Sequence, residues 1–120
     1  MADVAVFIVW DEVRQGRERR AIRVLTAARE YFEGLEQSGA VEGAVVGITG
    51  PAAPTNIGGF FVVRGSEDQL REVRSSKEFK RLMLRTKLVV EHLRVVRALL
   101  GGEFLEHLKE LAAEVDDLDK

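Results

Sequence analysis

Val4-Ala-Val-Phe-Ile-Val-Trp10 is the stretch that decides the fold, because every residue in it is apolar. β-Branched and aromatic residues favour strands, and a run this short suits a strand better than a helix. Successive residues of a strand point to opposite faces of its sheet, so both faces of this strand are apolar. We therefore predict a first strand at residues 3–10 that is covered on both sides.

The other elements are predicted from hydrophobic periodicity and from breaker and cap residues. Apolar residues at helical spacing alternate with short β-branched runs along the rest of the chain. The predicted elements are a strand at 3–10, a helix at 17–38, strands at 41–49 and 57–64, a broken helix at 67–74 and 76–90, a strand at 93–100 and a helix after Gly102. Because the connection between the second and third strands is short, we predict that these two strands pair antiparallel.

Three local signals support these boundaries. Gly39 follows the first helix, where a left-handed C-terminal cap is expected. Ser66-Glu-Asp-Gln69 is a capping-box pattern, in which the serine hydroxyl and the glutamine side chain each bond a free backbone N–H at a helix start. Both prolines lie in the connection 50–56, and proline cannot donate to a sheet ladder. The second and third strands are therefore predicted to end and begin on either side of this loop.

This order of elements is typical of the split βαβ arrangement of ferredoxin-like folds. We predict an α+β domain with a four-stranded antiparallel sheet, helices on one face and an extra C-terminal helix. The helices cover only one face of such a sheet, yet the first strand is apolar on both faces. A second copy of the chain, joined sheet to sheet across a two-fold axis, is the simplest cover. The pattern therefore predicts a homodimer through the open sheet face.

Length and composition limit the class of protein. A chain of 120 residues suits a single domain, which we divide into a ferredoxin-like part at 1–101 and an appended helix at 102–120. The absence of cysteine excludes disulfides and thiolate metal sites. The start of the chain does not resemble a signal peptide, and no apolar run approaches the ~18 residues of a membrane span. We expect a cytoplasmic protein that does not bind membranes.

Charge is unevenly distributed along the chain, although the net charge is only −2. Residues 64–100 carry ten basic and five acidic groups, whereas residues 101–120 carry two basic and seven acidic groups. Arg74, Lys77, Arg81 and Arg85 are spaced to form a positive stripe on a helix. Aromatic stacking residues and a reading helix are not evident beside this stripe, so we do not predict nucleic-acid binding. We favour the acidic C-terminal helix, within one chain or between subunits, as its counter-charge.

The final helix also carries a narrow apolar seam. Phe104, Leu108, Leu111, Val115 and Leu118 recur at steps of four and three residues. Such a seam packs against another surface, which is either the end of its own domain's core or a partner. The sequence does not distinguish these two alternatives.

The chain resembles the dimeric α+β barrel superfamily over residues 3–101. The resemblance rests on the first strand, on Gly58-Gly-Phe-Phe-Val-Val-Arg-Gly65, on Ser76-Lys-Glu-Phe79 and on Val95-Val-Arg-Ala-Leu-Leu-Gly101. It implies two chains whose sheets face each other, often with a ligand cleft between sheet and helices. Members include cofactor-free monooxygenases acting on polycyclic phenols, haem-degrading monooxygenases, muconolactone isomerases and polyketide cyclases. The fold alone therefore does not select a function.

Three residues are candidates for ligand binding or catalysis. Trp10 ends the first strand and can line a cleft mouth, although a core or interface role is the alternative. His92 is the candidate for proton transfer, because histidine is the usual side chain for this role, the alternative being a solvated histidine near a helix end. Arg64 can clamp an anionic ligand, the alternative being a surface ion pair with Glu67 or Asp68. Tyr31 lies on the apolar stripe of the first helix and is predicted to be core.

No cofactor or metal is predicted. Glu103, Glu106, His107 and Glu110 lie on the final helix, but they lack the second ligand-bearing helix of a di-metal site, and a solvated charged face explains them. Gly58-Gly59 is interpreted as a β-bulge or a close backbone approach rather than a phosphate loop. The first hypothesis is a homodimeric α+β barrel protein of unassigned activity with a small-molecule cleft. The alternative is a cofactor-independent monooxygenase or isomerase that acts on an apolar or aromatic ligand.

Overall fold

The computed structural model describes residues 4–49 and 58–120. Its elements are β1 (Val4–Trp10), α1 (Glu18–Gln37), β2 (Gly43–Ile48), β3 (Gly59–Gly65), α2 (Glu67–Ser75), α3 (Lys77–Val89), β4 (Arg94–Leu99) and α4 (Gly101–Leu118). The predicted order of elements is confirmed, with boundaries shifted by one or two residues. The predicted start of the third strand at Ile57 and the connection 50–56, which includes Asn56, lie outside the described residues.

The sheet has four strands in the order β2-β3-β1-β4, and every neighbouring pair is antiparallel. β1 therefore lies in the interior of the sheet, where Val6 pairs with Val63 of β3 and with Arg97 of β4. The predicted ferredoxin-like α+β fold is confirmed. As an interior strand, β1 is hydrogen-bonded along both edges, and six of its seven residues are buried.

The helices cover one face of the sheet, and the core lies between them. Val4, Val6, Ile8 and Trp10 supply the β1 side of this core. The residues that pack against them from other elements are Phe61 and Val63 of β3, Ala21, Ala28 and Phe32 of α1, Leu70 and Val73 of α2, and Phe79, Leu82 and Val89 of α3. Alternate residues of β1 thus meet the apolar stripes of three helices, as the periodicity predicts.

The opposite face of the sheet is not covered by any helix of the described residues, and we name it the open face. Its residues follow from the strand register and are Ala5, Phe7, Val9, Val45, Phe60, Val62, Val96 and Ala98, with Arg64 and Arg94 at its ends. Ala5 and Val9 of the interior strand are buried among larger neighbours. Val45 and Val96 on the outer strands are 52% and 46% exposed. The open face is therefore apolar and solvent-accessible in the single chain.

Capping at the helix ends matches the local sequence signals. The Ser66 hydroxyl accepts a hydrogen bond from the Gln69 N–H at 3.1 Å, and the Gln69 side chain accepts one from the Ser66 N–H at 2.8 Å. Ser76 separates α2 from α3, and its hydroxyl accepts a bond from the Phe79 N–H at 3.2 Å. Gly39 has φ +80°, the left-handed conformation predicted for the end of the first helix.

None of the residues of the C-terminal helix α4 is buried, and the helix does not pack closely on any other element of the described chain. Its six large apolar side chains are 45–82% exposed. The alternative in which this helix covers one end of its own core is therefore wrong. The predicted start after Gly102 is also late, because the helix begins at Gly101, which has φ +51°.

Tyr31 is half-buried, packs against the core and lies 5.2 Å from the ring of Phe32 between centroids, so its predicted core role is confirmed in outline. Its hydroxyl lies 3.5 Å from the Ser76 hydroxyl.

No helix in the described part of the chain has the length and apolar character needed to span a bilayer.

Candidate functional site

Trp10 lines an apolar cleft of about 250 Å³ between α1 and the outer strand β2, which we name the Trp10 cleft. Its lining residues are Trp10, Ile22, Leu25, Thr26, Arg29, Val46, Gly47, Ile48 and Phe61. The indole is only 2% exposed and lies 4.9 Å from the Phe61 ring between centroids. Trp10 is thus both a core residue and the inner wall of a cleft, which combines the two roles that the sequence left open.

The glycine pair at the start of β3 makes room for this indole. A Cβ atom at Gly59 would lie 2.3 Å from a ring carbon of Trp10, and one at Gly58 would lie 1.7 Å from the Asp11 carbonyl oxygen. The Gly58 N–H donates to the Trp10 carbonyl at 2.8 Å. The close backbone approach predicted for these glycines is therefore confirmed, and it sets the position of Trp10.

His92 belongs to a charged cluster at the end of β1. The Asp11 carboxylate accepts from Arg94 at 2.9 Å through Oδ1 and lies 2.8 Å from His92 Nδ1 through Oδ2. Asp11 is largely shielded, with 15% of its side chain exposed, whereas the His92 side chain is 72% exposed. The Arg94 guanidinium, through its hydrogen bond to Asp11, lowers the pKa of that carboxyl below its ordinary value, and His92 contributes in the same direction. Asp11 is therefore held as a carboxylate that orients the imidazole.

The backbone of His92 is held in an unusual conformation. Its φ is +54°, and among the described residues no other residue apart from glycine has a positive φ. The preceding segment is fixed by hydrogen bonds from the Asp11 N–H to the Glu91 carbonyl at 2.9 Å and from the Glu91 N–H to the Glu12 carbonyl at 2.7 Å. Left-handed backbone outside glycine costs about 1–3 kcal/mol and is often found at functional sites. Because Asp11 engages Nδ1, the other ring nitrogen, Nε2, is left for a ligand.

Arg64 lies on the open face, where its guanidinium covers the backbone of Gly43. A Cβ atom at Gly43 would lie 2.5 Å from a terminal nitrogen of this guanidinium. The predicted ion pair of Arg64 with Glu67 or Asp68 is wrong. Glu67 pairs with Arg97, and Asp68 pairs with Arg71 at 2.8 Å. Glu67 and Asp68 are the first two residues of α2, and each already pairs with another arginine, on β4 or on α2 itself.

The three candidate residues do not share a pocket. Trp10 points toward the helices and lines the Trp10 cleft. Arg64 pairs with Ala5 near the start of β1, whereas His92 contacts Asp11 beyond its end. Sequence reasoning missed Asp11 and Arg94 as partners of His92. The sequence did carry a signal for them, because Asp11 directly follows the first predicted strand and Arg94 lies at the start of the fourth.

The predicted positive stripe is divided by the helix break at Ser76. Arg74 and Lys80 line a groove of about 440 Å³ beside β4, whereas Arg85 lines a different groove at the start of α1. The basic residues therefore form separate local sites rather than one continuous surface.

Among residues 4–49 and 58–120, no group of three or more His, Asp or Glu side chains is arranged to hold a metal ion.

Comparison with known proteins shows the fold. No family model matches the chain, and no curated protein is similar to it in sequence. A dimeric ferredoxin-like protein of unknown function from Jannaschia is 12% identical with a TM-score of 0.62, over 79% of this chain and 97% of that one. A hydroxynitrile lyase from Passiflora edulis is 14% identical with a TM-score of 0.61, over 85% and 97% of the two chains.

A third solved structure, from Chloroflexus aurantiacus, is that of a protein proposed to be an antibiotic biosynthesis monooxygenase. It is 15% identical with a TM-score of 0.52, over 82% of this chain and 94% of that one. At such identities the likeness establishes the ferredoxin-like fold alone, since one fold carries many unrelated activities.

Proposed function

We propose that this protein is a cytoplasmic homodimer that forms an α+β barrel through its open face and binds a small apolar ligand in the Trp10 cleft. The observation that carries the proposal is the sheet with two apolar faces, of which only one is covered by helices. A solvent-accessible apolar face of this kind marks an interaction surface. The Jannaschia protein of the same fold is a dimer, which supports a second copy as the cover.

The open face has the composition of an interface core. Phe7 and Phe60 lie with their ring centroids 6.4 Å apart at its centre, and Val62 and Val96 flank Phe7 on the neighbouring strands. Arg64 and Arg94 lie toward the ends of this surface, where guanidinium groups stay accessible to solvent. Aromatic and apolar residues surrounded by charged ones are the usual anatomy of a stable interface.

The dimer is tested by sedimentation velocity at micromolar concentration with a matched pair of variants. Val96→Asp places a carboxylate on the open face, and Leu84→Asp makes the same change at an exposed position on α3. We expect the parent chain and Leu84→Asp to sediment at twice the 13.4 kDa chain mass. For Val96→Asp the dissociation constant should rise by about tenfold or more. A parent chain that sediments only as a 13.4 kDa species would refute the dimer.

The Trp10 cleft suits an apolar ligand of one or two rings. Its lining is almost entirely hydrocarbon, and its volume of about 250 Å³ is slightly below the range of about 300–1,000 Å³ that is usual for drug-sized ligands. Ile22 and Ile48 at its mouth are 65% and 79% exposed, so a ligand that enters also covers these side chains. Arg29 is the one charged residue of the lining, and it pairs with Glu33 at 2.9 Å.

Ligand binding is tested with 1-naphthol by quenching of Trp10, which is the only tryptophan of the chain. Thr26→Phe fills the cleft from its exposed side, and Thr26→Val keeps its size. We expect saturable quenching in the parent chain and in Thr26→Val, and at least about tenfold weaker binding in Thr26→Phe. Equal quenching in both variants would show that the probe binds elsewhere.

A second function is favoured by the Asp11–His92 pair. A carboxylate that fixes Nδ1 leaves Nε2 to take a proton, as a general base of a cofactor-independent monooxygenase or isomerase requires. The Chloroflexus protein has a related activity proposed for it on the same fold. In this alternative, His92 deprotonates a phenol, and an apolar or aromatic compound is the substrate. Trp10 and Arg64 lie away from His92, so they are not the groups that position this ligand.

This alternative is tested by oxygen uptake with 1-naphthol. Oxidation to a naphthoquinone consumes one O₂, with one oxygen atom retained in the quinone and the other released as water. His92→Ala should abolish uptake, whereas His107→Ala, at the other histidine of the chain, should leave it unchanged. Binding of 1-naphthol without oxygen uptake would leave a binding protein and remove the enzyme hypothesis for this class of substrate.

A further inference from the structure

A second groove, distinct from the Trp10 cleft, lies between the start of α1 and the end of α3. We name it the arginine groove. Its volume is about 620 Å³, and it is lined by Arg17, Arg20, Arg23 and Arg85. Four guanidinium groups from two helices thus surround one concave surface. The predicted basic stripe included Arg85 but none of the three arginines at the start of α1.

None of the four arginines has a carboxylate partner within the described ranges. Arg20, Arg23 and Arg85, and likewise the fourth, Arg17, form no ion pair with the acidic residues of 4–49 and 58–120. Arg29 and Arg71 elsewhere on the surface do have such partners, whereas Arg64, Arg74 and Arg81 have none among the described residues. Unpaired charges of one sign held close together repel each other, and this repulsion lowers the stability of the folded chain.

The fourth arginine covers the negative end of α3. The Arg17 guanidinium donates to the Leu88 carbonyl, and the Arg14 guanidinium lies 3.4 Å from the Lys87 carbonyl oxygen. These carbonyls end α3, where the helix dipole is negative and would repel an anion. With the carbonyls bonded to Arg14 and Arg17, the groove presents net positive charge to an incoming ligand.

The floor of the arginine groove is apolar. Val24 of α1 and Leu88 and Val89 of α3 complete the lining, and Leu88 is 61% exposed. An ion that contacted only the guanidinium groups would leave the exposed hydrocarbon of Leu88 and Val24 in water. The groove therefore fits a ligand with an anionic head and an apolar body, and its volume lies within the usual range of about 300–1,000 Å³ for small-molecule sites.

We propose that the arginine groove binds an organic phosphate monoester with an apolar body. A phosphate monoester carries more than one negative charge and several acceptor oxygens, which match several guanidinium donors better than one carboxylate does. The apolar body covers Val24, Leu88 and Val89. This site is separate from the Trp10 cleft and does not depend on the proposed dimer.

The proposal is tested by calorimetric titration of the full chain at low salt with octyl phosphate, octanol and inorganic phosphate. Octyl phosphate should bind at least about tenfold more tightly than either of the other two probes, because it alone engages both the guanidinium groups and the apolar floor. Octyl phosphate that fails to bind, or that binds no more tightly than octanol or inorganic phosphate, would overturn the proposal.

Two substitutions locate the site. Arg20→Gln and Arg85→Gln should each weaken octyl phosphate binding by about tenfold, whereas Arg19→Gln removes the same charge from α1 outside the lining and should have an effect below about twofold. Arg20→Gln should also raise the melting temperature of the free protein, because it relieves repulsion. A site role requires weaker binding together with unchanged or higher stability. Variants that bind octyl phosphate as the parent does would place the ligand elsewhere and contradict the proposal.

Discussion

The two faces of β1 show the same residue chemistry in two different situations. Val6 and Ile8 face the helices and are buried by residues of the same chain, whereas Phe7 faces outward and is only half-buried. Both faces are apolar, so hydrophobicity alone does not tell which one is covered within the chain. The difference is that α1, α2 and α3 all pack on one side. The contact with a second copy proposed above would explain the apolar residues on the other side.

The largest expected effect comes from comparing adjacent residues of β3 that point to opposite faces. Phe61→Ala removes a ring packed 4.9 Å from Trp10 and 5.1 Å from Phe32 between centroids, and it should lower the free energy of unfolding by about 3–5 kcal/mol. Val62→Ala, on the open face, should cost about 1 kcal/mol or less when the chain is monomeric. Urea denaturation of both variants measures these values.

Protein concentration separates the two faces further. Binding to a partner adds to stability by mass action, so the cost of Val62→Ala should grow as the concentration rises and the dimer forms. The cost of Phe61→Ala should include a large part that does not depend on concentration. A Val62→Ala effect of the same size at nanomolar and at high micromolar concentration would contradict an open face that a second copy covers.

The fold was largely predictable from sequence because its determinants are local. The all-apolar β1, the capping box at Ser66–Gln69 and the left-handed Gly39 each act within a few residues, and together they predict the element order. The seam of α4 was also visible, but a seam shows only that a helix needs a partner surface. It does not say which surface, and the structure places α4 away from its own core.

The candidate sites were less predictable because they depend on residues far apart in the chain. Asp11 meets His92 and Arg94 only because β1 and β4 pair antiparallel. Arg17 and Arg20 meet Arg85 only because the start of α1 packs beside the end of α3. Charge and spacing identify such residues one helix at a time, whereas tertiary packing decides which of them share a groove.

A smaller effect tests how the helix cover is held in place. Ser66→Ala removes the hydroxyl that accepts from the Gln69 N–H at the start of α2, and it should cost about 1 kcal/mol of unfolding free energy. Ser75→Ala is the control, because its exposed hydroxyl bonds only the Glu72 carbonyl one turn back in the same helix. Chemical denaturation should show a clear loss for Ser66→Ala and almost none for Ser75→Ala. Equal losses would mean that the capping box does not stabilise α2.

The smallest effect concerns Asp11, beside the end of the open face, and it depends on pH. Because the Arg94 guanidinium lowers the pKa of Asp11 in the folded chain, the carboxylate contributes stability at pH values above the ordinary aspartate pKa of about 4. That contribution is lost as the pH falls through the lowered pKa. Asp11→Asn should therefore be less stable than the parent at neutral pH, and the difference should shrink on acidification. Denaturation curves at low protein concentration, from neutral pH to about pH 2, measure this difference in unfolding free energy. A difference that stays constant over this pH range would show that the charge of Asp11 does not stabilise the fold.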